Sequence, residues 1–147
     1  MEYVVKHGVK MAFGTDLLSN WEASVAYDND ANKEFVWLAK FMPNVDALRM
    51  ATGNAGALHA LSGPNSPYQD GPTGVIQEGA YADILLVDGN PLKDIEIMTK
   101  PGKNFRIIMK DGVIYKNTLL ADAINPELKQ QILRSAPPHL RFYGDYN

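Results

Sequence analysis

Gly74-Val75-Ile76-Gln77-Glu78-Gly79-Ala80-Tyr81-Ala82-Asp83-Ile84-Leu85-Leu86-Val87 is the stretch whose reading decides the fold. Its second half, with Asp88 added, is a nearly continuous apolar run between two acids. A run of that length and composition predicts a well-buried strand. Gly79 signals a turn before it, and Asp88-Gly89-Asn90-Pro91 signals a turn after it. Further along, Phe105–Lys110 and Val113–Lys116 flank the pair Asp111-Gly112. That pair supplies the positive φ values a two-residue hairpin turn requires. Residues 75–117 therefore read as a small β module. Three or four short strands with one apolar face need a second sheet or a helix layer to be stable.

The preceding residues have a different periodicity. Asn32 is placed to cap a helix from Lys33 to Phe41, which Pro43 ends. A second helix starts at Asn44 or Asp46 and carries Ala47, Leu48, Met50, Ala51, Ala55, Leu58 and Leu61 at helical spacing. Gly53 and Gly56 lie inside it. Each costs about 1 kcal/mol against Ala, so they mark a break or close packing on another element. Gly63-Pro64 terminates the helix, and residues 63–74, rich in Gly and Pro, read as a linker. Gly8–Phe13 predicts a short strand with Val9, Met11 and Phe13 apolar. It runs into Gly14-Thr15-Asp16 and a loop from Leu17. An Asp at the carboxyl end of a strand is where an α/β barrel keeps its chemistry. A turn or helix-cap Asp is the alternative. In the tail, residues 118–147, Asn125-Pro126-Glu127 opens a helix with Leu128, Ile132 and Leu133 apolar, and Pro137-Pro138 stops it.

Composition narrows the function classes. The chain has 147 residues, 46% of them hydrophobic, and a net charge of −3. That charge creates no basic field for nucleic acid or an anionic membrane. With no cysteine, disulfides, thiol catalysis and zinc fingers are excluded. No apolar run reaches the length of a membrane span, and no signal-peptide core is present, so a cytoplasmic protein is expected. Gly71-Pro72-Thr73-Gly74 lacks the Lys of a phosphate loop. Asp28 and Asp30 lack the Gly turn and distal Glu of a calcium loop.

The order of these motifs resembles the C-terminal portion of the amidohydrolase superfamily, on the imidazolonepropionase-like and Xaa-Pro dipeptidase-like branch. The likeness is carried by Gly14-Thr15-Asp16, by Ala51-Thr52-Gly53-Asn54-Ala55-Gly56, by the Gly74–Val87 stretch and by Val113-Ile114-Tyr115. Gly56 stands where the family's helix motif has Ala. The likeness covers about residues 8–117.

It implies a (β/α)₈ TIM barrel with a small β-sandwich. Residues 1–62 would be the last barrel strand and its following helices, and 75–117 a sandwich segment. It implies Asp16 as both metal ligand and general base, a divalent metal, zinc foremost, and a small-molecule amide or dipeptide substrate. A carboxylate beside a divalent cation can hold an attacking water and take its proton. The family's other ligands are histidines and a Lys or Glu on earlier strands. His7, His59 and His139 do not occupy those positions.

A whole barrel needs about 250 residues. The resemblance therefore implies a C-terminal piece, inactive on its own. The alternative is a non-catalytic, β-rich assembly or binding module. In either case the apolar faces of Phe13, Leu38 and Ile84 need partners, so the chain is expected to associate with itself or with a missing N-terminal part. Sedimentation of a compact monomer with no exposed apolar patch would contradict that expectation.

Overall fold

The structure, a computed structural model, describes residues 1–15 and 31–119. Asp16, the loop expected from Leu17, and the helix expected in the tail lie outside the described residues.

Helix α1, Glu2–Lys6, has an acid in its first turn and a base in its last, the arrangement that suits a helix dipole. The segment that follows corrects the expected strand. Residues 9–15 pair with no other strand among the described residues. Their recorded hydrogen bonds go to helices, and strand geometry needs a ladder partner.

A 3₁₀ turn at Ala31–Lys33 leads into α2, Glu34–Leu38, which is shorter than the expected Lys33–Phe41. Turn bonds from Lys40, Phe41 and Met42 continue the coil to Pro43. The expected single long helix is two, α3 at Asn44–Ala51 and α4 at Gly53–Ala60. The break falls at Thr52, whose φ is −119° and ψ −100°. This is one residue ahead of Gly53, the first of the two glycines that signalled it.

Residues 66–83 then run without helix or strand as a strap laid along α4. Its fit depends on two glycines. A Cβ on Gly56 would sit 2.0 Å from the Thr73 carbonyl oxygen. One on Gly74, at φ +73°, would sit 2.3 Å from the Thr52 oxygen. Only hydrogen at these positions lets the strap reach the helix break.

The sheet has the order β1-β2-β3, all antiparallel, from Ile84–Val87, Phe105–Lys110 and Val113–Asn117. Asp111 at φ 50° and Gly112 at φ 75° make the two-residue hairpin turn that their identities predict. A 3₁₀ stretch, Ile95–Thr99, and a short helix α5, Pro101–Asn104, join β1 to β2. Lys116 of β3 is buried and donates to the Pro101 and Gly102 carbonyls at 3.1 and 2.6 Å. Burial, and then repulsion from Arg106, hold its ammonium below the usual pKa.

The core is one cluster of Phe35, Leu38, Met42, Ala47, Met50, Ile95, Met98 and Phe105. It joins α2 and α3 to the 3₁₀ stretch and to the start of β2. Met11 and Phe13 pack against it, as do Val87 and Ile108.

The expectation of a well-buried β1 is corrected: Ile84, Leu85 and Leu86 are 37%, 48% and 44% exposed. Among the described residues β1 pairs with β2 alone, at the edge of the sheet. The register places Ile84, Met109 and Ile114 on one face, and Ile84 and Ile114 are exposed there. No helix among the described residues is long and apolar enough to cross a membrane.

Gly56→Ala should destabilise the chain by about 2–3 kcal/mol, because the strap backbone must move to admit the methyl group. Urea unfolding checks this; a change below about 0.5 kcal/mol would show that the strap yields freely.

Candidate functional site

The sequence-predicted site residue, Asp16, follows directly on a segment whose attachment is described. Where α3 ends at Ala51, Thr52 takes two of its last carbonyls: its N–H donates to Arg49 O at 3.3 Å and its Oγ1 to Leu48 O at 2.9 Å. A third, Met50 O, accepts the Phe13 N–H at 3.0 Å. In the first turn of α4, Asn54 Nδ2 donates to Met11 O at 2.7 Å in a part-buried setting. The Phe13 ring meets Phe35 with centroids 4.7 Å apart. Two hydrogen bonds and one aromatic contact thus fasten residues 11–13 to three helices, just before Gly14-Thr15-Asp16. Asn54 entered the sequence reading only as a member of the Ala51–Gly56 motif, with no role assigned to it.

The histidines are elsewhere. His7 Nδ1 lies 2.7 Å from Tyr3 O, with its ring 4.0 Å from the Tyr3 ring, on the exposed side of α1. His59, at the end of α4, stacks on Tyr68 at 5.4 Å. His139 lies outside the described residues. Among the described residues no group of three or more His, Cys, Asp or Glu side chains could hold a metal.

A second polar cluster ties the strap to the hairpin. Lys110 Nζ donates to Asp83 Oδ2 at 2.6 Å and lies 4.9 Å above the Tyr68 ring. Asp83 Oδ1 also accepts the Asp111 N–H at 2.7 Å. Tyr68 meets Tyr81 edge-on at 5.4 Å, and the Tyr81 hydroxyl reaches Asp70 at 3.3 Å. Partial burial pushes the Asp83 carboxyl up. The hydrogen bonds from Lys110 and Asp111, with the Lys110 charge, outweigh that and hold it below the usual carboxylate range. The bond to Asp83 raises Lys110 against a smaller opposing effect of burial. Nothing in this cluster pairs a nucleophile with a base. It braces the strap against the β2–β3 hairpin. Asp88 likewise bonds Arg106, at 3.1 Å.

No family model matches the chain. An ochratoxinase of Aspergillus niger is 31% identical over 129 residues, covering 84% of this chain and 24% of the relative. A solved amidohydrolase structure is 33% identical with a TM-score of 0.64, over 80% of this chain and 25% of that one. A prolidase complexed with N-methylphosphonate-L-proline is 32% identical with a TM-score of 0.53, over 77% of this chain and 24% of that one. The chain spans about a quarter of the length of the proteins it matches. The mixed helical and antiparallel-sheet architecture is the one these amidohydrolase structures share with it.

The Asp83–Lys110 pair carries a pH signature. The folded pKa of Asp83 is depressed, so its contribution is present above the unfolded value of about 3.9 and lost as pH falls through the folded value. That of Lys110 is raised, so its contribution is present below about 10.4 and lost as pH climbs through the folded value. Asp83→Asn should flatten the loss of stability below about pH 4. Urea midpoints recorded across that range test this, and an unchanged acid slope would assign the acid sensitivity to other groups.

Proposed function

Because the homologues of this chain are amidohydrolases, we propose that it is the C-terminal part of a metal-dependent hydrolase of C–N bonds, amide or peptide. In this reading residues 1–62 are the last strand region and following helices of a (β/α)₈ barrel. Residues 63–74 are a linker, 75–117 a segment of a small β-sandwich and 118–147 a terminal helix and tail. The observation that carries the reading is the coincidence of two things. The homology covers 84% of the chain, and the segment leading to Asp16 is fastened at both Met11 and Phe13.

Asp16 is the general base and a ligand to a divalent metal, with zinc first among candidates. Its carboxylate accepts a proton from the attacking water, and that water adds to the amide carbonyl. A cation bound there would supply polarisation of the carbonyl. One carboxylate is far from the four ligands of a stable zinc site. In this reading the remaining ligands come from earlier strands of the parent protein, and the 147 residues alone do not turn over substrate. The substrate is a small amide or dipeptide; the proline-derived phosphonate held by the prolidase relative supports that class. The exposed apolar face of the sheet at Ile84, Leu86 and Ile114 favours, as a second reading, a role in association.

Asp16→Asn in a full-length form that supplies the remaining ligands should lower kcat by about 10²- to 10⁴-fold and leave the melting temperature in place, as removal of a general base does. Steady-state hydrolysis of an Xaa-Pro dipeptide measures it; unchanged turnover would remove Asp16 from the chemistry.

A further inference from the structure

We infer that Asn54 is a positioning residue: its side-chain amide holds Met11–Phe13 in one register and so fixes where the chain enters Gly14-Thr15-Asp16. The inference rests on the proposed role of Asp16 as base. The geometry begins at the helix break. A continuous helix through Thr52 would carry Asn54 around with the α3 axis and would use the Met50 carbonyl internally. With the break, Met50 O is open to the Phe13 N–H at 3.0 Å. The first turn of α4 then brings Asn54 Nδ2 to 2.7 Å from Met11 O.

The two bonds act two residues apart on one segment, Met11 as acceptor and Phe13 as donor. A segment held at both is therefore restrained in register as well as in place, and a one-residue slip would break both bonds. Gly74 approaches the Thr52 carbonyl on the other side of the break, so the strap backs the turn that carries Asn54. Asn54 touches neither substrate nor metal in this reading; it acts through the backbone that leads to Asp16.

Donor chemistry separates this role from simple space filling. An amide can donate to Met11 O, and so can a protonated carboxyl, but a carboxylate of the same shape cannot. The test uses a full-length form that supplies the remaining ligands. Amide exchange at Phe13 is measured relative to the β2–β3 amides, together with kcat and KM. Asn54→Ala should lower the Phe13 protection factor about ten-fold, leave the sheet amides unchanged and lower kcat while KM stays in place. Asn54→Asp should match it at neutral pH and regain protection below about pH 4, where its carboxyl is neutral.

A Phe13 protection factor or a kcat indifferent to Asn54→Ala would overturn the inference. So would Asn54→Asp behaving as the wild type at neutral pH, because the side chain would then only be filling space. If the base assignment alone is wrong, the loss of Phe13 protection persists while Asp16→Asn leaves turnover intact, so the two failures are distinguishable.

Discussion

The break at Thr52 is the constraint from which the rest of the helical half follows. A residue at φ −119° and ψ −100° cannot continue a helix, so α3 ends at Ala51 with the Met50 carbonyl open to another segment and α4 starts afresh at Gly53. Three contacts converge on that point. Phe13 takes the Met50 carbonyl, Asn54 reaches back to Met11, and the strap's Gly74 packs against the Thr52 oxygen. Replacing the break by a straight helix would release all three. Thr52 Oγ1 bonding to Leu48 O supports the break from within α3, in the manner by which Thr side chains bend helices.

The core ties this arrangement to the sheet. Phe35, Leu38 and Met50 come from the helices, while Ile95, Met98 and Phe105 come from the connection into β2. The two halves that sequence periodicity separates thus share one apolar cluster. The strap adds a polar brace at Asp83, Lys110 and the two tyrosines. That brace is largely exposed and contributes little by itself. Its consequence is directional: it keeps the strap over α4, where Gly56 leaves room for Thr73.

Much of this was legible in the residues, and the exceptions have physical causes. Pro43 and the Asp111-Gly112 turn act within a few residues, and each appears where chain chemistry puts it. Gly53 and Gly56 signalled a break or close packing, and both occur: the break at Thr52 and the approach of Thr73 to Gly56. The strand expected at Gly8–Phe13 did not form because a strand needs a ladder partner, and that is a non-local property. Exposure of β1 escaped the sequence for a similar reason. An apolar run reports what can be buried, while its position at the sheet edge decides what is. Lys116 was unreadable as a buried residue, since its partners are the Pro101 and Gly102 carbonyls and not an opposite charge. Asp16, the proposed base, lies outside the described residues; the anchorage of the segment before it is what the structure adds.

The central claim is that Asp16 belongs to a hydrolase site whose other ligands lie on earlier strands. The most direct measurement is the sequence of the DNA upstream of the Met1 codon. The account predicts an open frame encoding His-x-His after an apolar strand, followed by two later isolated histidines. A stop codon immediately before an independent start at Met1 would contradict it and leave the chain a non-catalytic module.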